Sequence, residues 1–186
     1  MSAPFHSYLC GRIATEWLIA MKSSAKFVAF TGLMASLAVV LSLLESLLPP
    51  IPGMPPGTRL GLSNIVSMYA AGSLGLLPAL GIALAKGLFA FLTRGITAGL
   101  MSTAGGLFST LIVWLFLQKL RFGLLGASSA GALAHNAAQL AIACLLTSSA
   151  VVYYTPILVL LGTASGIITG LALGVLLPPL EKLQRR

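Results

Sequence analysis

The chain has 186 residues, of which 58% are hydrophobic and only 8% are charged, and its formal net charge is +8. Its mean hydropathy is +1.01. Eleven Lys and Arg with three Glu cannot form the charged surface of a soluble domain of this length, so the composition excludes a soluble domain. It predicts a chain embedded in the lipid bilayer. The cations separate apolar segments and form no basic stripe, which argues against nucleic acid as a partner.

Six apolar segments follow one another along the chain, and a transmembrane helix needs about 20 mostly apolar residues. The predicted spans cover residues 27 to 48, 60 to 74, 76 to 92, 99 to 118, 122 to 147 and 155 to 177. The second span is short, and little polar sequence separates it from the third, so fusion of the two would reduce the count to five. The fold class expected is an all-α integral membrane protein with six transmembrane helices.

Prolines mark several of the predicted helix ends. Pro49 and Pro50 are expected to end the first span, because proline cannot continue a helix, and Pro178-Pro179 to end the last. Pro78 is expected in the first turn of the third span, and Thr155-Pro156 as a cap and first-turn pair of the sixth.

The positions of Lys and Arg predict the orientation in the membrane. With six spans, Arg59 and Arg94 lie on one side and the remaining loop and tail cations lie on the other. The latter are Arg12, Lys22, Lys26, Lys119, Arg121, Lys182, Arg185 and Arg186. This asymmetry predicts cytoplasmic termini, with a lead-in of residues 1–26, a transmembrane domain of residues 27–177 and a basic tail of residues 178–186.

Small residues recur at four-residue spacing on two predicted helices. The sixth span carries Gly162, Gly166, Gly170 and Gly174 on nearly one face. Bare backbone allows close approach of another helix, so this face is predicted to pack within the bundle. The first span has small residues around more of its circumference, which leaves open a separate membrane protein as a docking partner.

Lys86 is the clearest intramembrane charge. A charged side chain at the centre of a spanning helix costs roughly 2.5 to 3.5 kcal/mol on insertion scales, so it indicates a functional site by default. Lys86 is either a buried partner for Glu45 or a cation in a water-accessible cavity that holds an anionic ligand.

Other polar side chains are predicted in the same outer half of the membrane. His135 and Gln139 are four residues apart on one helix face, although a lone helix histidine is more often a packing residue. Lys86, Arg59 and Arg94 outnumber Glu45 there, so an anionic or zwitterionic ligand is expected. The predicted roles are ligand charge for Lys86 and Arg59, orientation for Glu45, and hydrogen bonds for Asn64, His135, Asn136 and Gln139.

Enzyme chemistry has little support in this sequence. The chain has no Asp and no neighbouring pair of Glu to hold Mg²⁺ and a diphosphate, and one His near one Glu is too few ligands for a metal site. It contains no phosphate-binding P-loop either. We therefore predict no catalytic residue, no metal and no cofactor, and active transport would draw energy from a partner or a gradient.

Three stretches and the Lys-containing third span carry a family resemblance. LESLLPPIPGMPPGTRLGLSNI, GALAHNAAQL and YYTPILVLLGTASGIITG closely resemble the Gx transporter family, often labelled heptaprenyl diphosphate synthase component I, over about residues 27 to 177. That family is similar to the substrate-binding S components of energy-coupling-factor transporters. The resemblance implies a six-helix S-component-like bundle in a prokaryotic cell membrane, with a cavity open to the outside and gated by residues 49 to 59.

The resemblance also implies a partner. S components dock through an A-x-x-x-A motif of the first helix on a membrane coupling protein served by cytoplasmic ATPases. The nearest pairs in this chain are Thr31 with Ala35 and Gly32 with Ser36, a degenerate match. The leading prediction is a substrate-binding transport subunit. The alternatives are a non-catalytic membrane subunit of a heptaprenyl or polyprenyl diphosphate synthase, and a scaffold without a ligand.

Overall fold

The structure is a computed structural model that describes residues 25–47 and 61–184. Its elements are α1 (Ala25–Leu47), α2 (Leu62–Ser73), α3 (Leu76–Arg94), α4 (Ile96–Trp114), a π-helical turn (Leu115–Lys119), α5 (Leu124–Leu146), a 3-10 turn (Ser149–Tyr154) and α6 (Thr155–Gln184). Most of the predicted lead-in and the predicted gate at residues 49–59 lie outside the described residues.

Among the residues that the structure describes, five helical segments are long and apolar enough to cross a membrane. They are Phe27–Leu47, Leu76–Arg94, Ile96–Lys119, Leu124–Leu146 and Ala150–Val175. Their outer surfaces carry large apolar side chains, and Leu77, Leu92 and Val175 are 81%, 76% and 75% exposed. Such a surface is suited to lipid, so the bundle is that of a membrane protein, as the composition predicts.

α2 differs from the predicted second span. It has 12 residues, so it is roughly 18 Å long, whereas the hydrocarbon core of a bilayer is about 30 Å thick. It contacts α1, α3, α4 and α6, and most of its side chains are buried. The described part of the chain therefore has five candidate spans and one short interior helix in place of six predicted spans.

α2 and α3 remain separate helices despite the weak boundary between them in the sequence. Gly75 has a φ of +93° and lies between the two helices. Glycine adopts this conformation without the strain that a Cβ atom would cause. α3 begins at Leu76, with Pro78 in its first turn as predicted.

The prediction that Pro178-Pro179 ends the last helix is wrong. α6 begins at Thr155, has Pro156 in its first turn, and continues through both later prolines to Gln184. Each proline removes one backbone N–H donor and crowds the preceding turn, which favours a kink or an end of the helix. Membrane helices tolerate this cost where neighbouring groups satisfy the freed carbonyls.

The apolar core occupies the half of the bundle that contains the end of α4 and the start of α5. Its buried members are Ala38, Val66, Met68, Tyr69, Ala70, Ala71, Leu74, Ala79, Ile82, Val113, Leu117, Leu124, Ala127 and Leu173. In the same half, Gln118 Nε2 donates to the carbonyl of Gly72 at 2.9 Å and so satisfies an acceptor at the end of α2. The opposite half contains the buried side chains of Glu45, Ser63, Lys86 and Ser102.

Candidate ligand-binding cavity

A polar cavity of about 270 Å³ opens in the half of the bundle opposite the apolar core. It lies where α1 and α3 end and where α2 and α4 begin, against the middle of α5 and α6. Its lining consists of Glu45, Gly61, Ser63, Asn64, Lys86, Arg94, Thr97, Ala98, Met101, Ser102, Ala132, His135, Asn136, Gln139 and Ser165. Its size suits a small metabolite.

Glu45 joins the last turn of α1 to the first turn of α2. Its Oε1 accepts a hydrogen bond from the backbone N–H of Leu62, and its Oε2 accepts one from Ser63 Oγ at 3.3 Å. The first backbone N–H groups of a helix have no intrahelical acceptor, and Gly61 before them has no side chain that could cap them. Glu45 therefore supplies the missing cap from a neighbouring helix, although it is only 7% exposed.

Lys86 projects from the middle of α3 and is 3% exposed. Its ammonium donates to Asn64 Oδ1 at 2.8 Å and to Ser63 Oγ at 3.4 Å. The hydroxyl of Ser63 thus accepts from Lys86 and donates to Glu45, so it connects the buried cation to the buried anion. The two interpretations of Lys86 from the sequence are therefore compatible. Lys86 is linked to Glu45 through Ser63, and it also lines the cavity.

Arg94 lies in the last turn of α3 and brings a second cation to the cavity. Its Nη2 atom is buried and has no hydrogen-bond partner within the described part of the chain. A buried guanidinium donor without an acceptor is costly, and a carboxylate or phosphate oxygen is the acceptor that best matches it. The cavity lining thus has two cations against one carboxylate, and one of the cations has an unused donor.

α5 supplies three amide or imidazole side chains to the cavity wall. Asn136 Nδ2 donates to the carbonyl of Leu158 at 2.9 Å and so also connects α5 to α6. His135 and Gln139 lie against Gly105 of α4, where an added Cβ would be 2.8 Å from His135 Cε1 and 3.0 Å from Gln139 Cγ. The absence of a side chain at Gly105 therefore lets α4 approach the polar face of α5.

The cavity contains most of the side chains to which the sequence assigned ligand contacts. The structure brings together Glu45, Asn64, Lys86, His135, Asn136 and Gln139. Arg59, the seventh, lies outside the described residues.

Sequence reasoning counted Arg94 in the local charge but assigned it no ligand contact, and it missed the cavity hydroxyls of Ser63, Thr97, Ser102 and Ser165. Ser and Thr are common in membrane helices, where they often bond to their own backbone, so they give no comparable signal.

The small-residue pairs of α1 face two different directions. Gly32 and Ser36 are exposed, and the Ser36 hydroxyl donates to the carbonyl of Gly32. Ala35 packs against the core, and Thr31 Oγ1 is buried. Among the two candidate docking pairs, only Gly32 with Ser36 is fully on the outer surface.

The glycines of α6 lie at different depths against α5. An added Cβ at Gly162 would be 2.7 Å from Asn136 Nδ2, and one at Gly166 would be 2.6 Å from Ser129 Cα. One at Gly170 would meet Ser128 Oγ, whereas one at Gly174 would have no atom within 4 Å. Three of the four positions therefore touch α5 closely.

Comparison with known protein families gives a match over most of the chain. The family model described as heptaprenyl diphosphate synthase component I matches residues 34–176, which is most of the chain. Neither the curated proteins nor the solved structures contain a match.

Proposed function

Since the chain belongs to the heptaprenyl diphosphate synthase component I family, we propose that this membrane protein is a non-catalytic, substrate-binding subunit of a transport system. In this proposal it captures a small anionic molecule in the cavity of about 270 Å³. The cavity opens to the outside of a prokaryotic cell membrane, six elements of the chain cross or enter the bilayer, and both termini are cytoplasmic.

The observation that carries the proposal is the unused donor of Arg94. Arg94 lines the same cavity as Lys86, and its buried Nη2 has no acceptor among the described residues. An anionic oxygen bound there would form a charge-assisted hydrogen bond with the guanidinium. The amides of Asn64, Asn136 and Gln139 would add hydrogen bonds that fix the ligand's orientation.

Arg94→Gln tests the proposal. Native mass spectrometry of gently purified wild-type protein is expected to show a bound small anion. Arg94→Gln should lower its occupancy about tenfold or more, because a hydrogen bond to a charged group contributes about 1.5–3 kcal/mol. The matched control is Arg121→Gln, which removes an exposed cation outside the cavity lining.

Two outcomes would contradict the proposal. One is a bound molecule that is cationic or carries no anionic group. The other is equal occupancy in the wild type, Arg94→Gln and Arg121→Gln, since the cavity cation would then make no contact with the ligand.

The energy source is a further part of the proposal. The sequence has no P-loop, so we propose that a membrane coupling protein with cytoplasmic ATPases drives uptake. This partner docks on the lipid-facing surface of α1.

The family's description favours a second candidate, a non-catalytic subunit associated with a prenyl diphosphate synthase. Co-purification separates the two, because ATPase subunits support the first and a soluble synthase subunit supports the second.

A further inference from the structure

A second, much smaller pocket lies directly beside the cavity. Its volume is about 20 Å³, and it shares Asn64, Ala132 and Ser165 with the cavity. The wall of this pocket is rich in hydroxyl groups from four helices. These belong to Ser67 of α2, Ser109 and Thr110 of α4, Ser128 of α5, and Ser165 and Thr169 of α6.

Two hydroxyls of this pocket need a partner. Ser67 is 7% exposed and Thr110 is 2% exposed. Neither Ser67 Oγ nor Thr110 Oγ1 has a hydrogen-bond partner among the residues that the structure describes. A buried hydroxyl without a partner costs about 1–3 kcal/mol, so two of them facing one pocket indicate an occupant.

Two other hydroxyls of the same pocket have their protons already engaged. Ser128 Oγ donates to the carbonyl of Leu125 at 3.2 Å, and Ser165 Oγ donates to the carbonyl of Gly162 at 3.1 Å. Each still has an oxygen lone pair that can accept a hydrogen bond. These four hydroxyls therefore offer two donors and two acceptors, and Ser109 and Thr169 bring further hydroxyls to the same wall.

We propose that this pocket binds one water molecule, which links α2, α4, α5 and α6 at the floor of the cavity. A water molecule accepts two hydrogen bonds and donates two, so the hydroxyls of Ser67, Thr110, Ser128 and Ser165 can satisfy it. A buried water needs a space of about 10–15 Å³ and two to four polar partners, and the pocket's volume of about 20 Å³ leaves room for one.

A monovalent cation fits the same pocket less well. The residues that line it are neutral, and none is a carboxylate that could balance the charge of an ion. Asn64, which lines both the pocket and the cavity, accepts a hydrogen bond from the Lys86 ammonium, so a positive charge already lies beside one wall of the pocket. Water is therefore the occupant that the donor set favours.

Thr110→Val tests this site because it replaces the hydroxyl with a methyl group of similar size. If water is bound, the variant removes one of its partners, and the midpoint of thermal unfolding in detergent should fall by about 2–4 °C. If the pocket is dry, the same change removes an unpaired buried hydroxyl, and the midpoint should rise. The sign of the shift thus decides between the two states.

Thr163→Val is the matched control. The hydroxyl of Thr163 donates to the carbonyl of Val159 in its own helix, and this residue does not line the pocket. Its shift measures the cost of exchanging Thr for Val in a helix of this bundle, and the Thr110→Val shift is compared with it.

A second variant keeps the test decisive if Thr110→Val does not fold. Ser67→Ala should also lower the midpoint, and Ser67→Ala with Thr110→Val should lower it by less than the two single shifts together, because both hydroxyls bind the same molecule. A rise in either single variant, or fully additive losses, would overturn the proposal. A salt exchange tests for a bound sodium ion. If replacing sodium chloride with choline chloride lowers the midpoint of the wild type but not that of Thr110→Val, the pocket binds sodium and the proposal is overturned.

Discussion

Glu45 shows why a membrane chain with few carboxylates has one at the end of an apolar helix. It caps α2 from α1 through the backbone N–H of Leu62 and the hydroxyl of Ser63. These two contacts join helices whose connecting residues, 48–60, lie outside the described part of the chain. A single side chain thus positions the first turn of the helix that forms one wall of the cavity.

Replacing Glu45 with Ala is expected to lower the free energy of unfolding by about 1.5–3 kcal/mol, because a buried backbone N–H and a hydroxyl lose a charged acceptor. Glu45→Gln should cost less, since its amide oxygen can still accept one of the two bonds. Thermal unfolding in detergent measures both changes. Ser46→Ala is the control, because the exposed Ser46 hydroxyl bonds only to Leu43 of its own helix, and equal midpoints for Glu45→Ala and Ser46→Ala would exclude the capping role.

The sequence predicted those residues of the candidate site whose side chains are energetically costly to place in lipid. Lys86 and Glu45 stand out in apolar segments because ionised groups are rare there, and both line the cavity. Ser63 and Ser165 could not be predicted as site residues, since a serine side chain has little energetic cost in a membrane helix. The missing acceptor of Arg94 Nη2 depends on where the turn at Gly95 places the guanidinium, and no local pattern in the sequence encodes that position.

At the scale of helices, the contact between α5 and α6 depends on the glycines along α6. Gly166 of α6 lies directly against the backbone of Ser128 and Ser129. An added Cβ there would be 2.6 Å from Ser129 Cα and 3.0 Å from the carbonyl oxygen of Ser128. Backbone atoms cannot rotate away as side chains can, so the two helices would have to separate.

Gly166→Ala is therefore expected to lower the midpoint of thermal unfolding by about 2–10 °C, because overpacking costs about 1–3 kcal/mol. Gly174→Ala is a control in the same glycine row, since its added Cβ would have no atom within 4 Å. That change should be neutral or slightly stabilising, because Ala favours helix more than Gly does. Equal losses in the two variants would contradict close packing at Gly166.

The helices themselves were largely predictable from hydropathy, with two instructive exceptions. α2 is short and buried because its small and weakly polar residues fit between other helices, whereas a hydropathy pattern reports only how apolar a segment is. Pro178 and Pro179 do not end α6, because the cost of two lost hydrogen bonds depends on what surrounds the freed carbonyls. The burial of α2 in particular depends on tertiary contacts that the local sequence does not specify.

The whole molecule has two chemically different halves. The apolar core fills the half near the π-helical turn of α4, and the polar cavity occupies the half near the turn between α3 and α4. Lys119 and Arg121 lie at the first end, and Arg94 lies at the second. Because Lys and Arg are enriched in cytoplasmic loops, the orientation that we propose puts the end with Lys119 and Arg121 inside the cell and the cavity outside.

Cysteine labelling tests this orientation in a background with Cys10→Ser and Cys144→Ala. Ile96→Cys, next to the turn at Gly95, should react with a membrane-impermeant maleimide in intact cells. Phe122→Cys should react only after the membrane is permeabilised. Both side chains are exposed, 64% and 53%, so a reversed labelling pattern would mean that the cavity opens to the cytoplasm.

The position of the N-terminus of α2 has an electrostatic consequence for the cavity. Aligned peptide dipoles place roughly half a positive charge at a helix N-terminus, and Gly61, Ser63 and Asn64 bring that end of α2 to the cavity wall. Glu45 offsets part of this charge, while the amide of Gln118 complements the opposite, negative end. Part of the attraction for an anion therefore comes from the backbone of α2, and any movement of this helix would carry that part of the binding site with it.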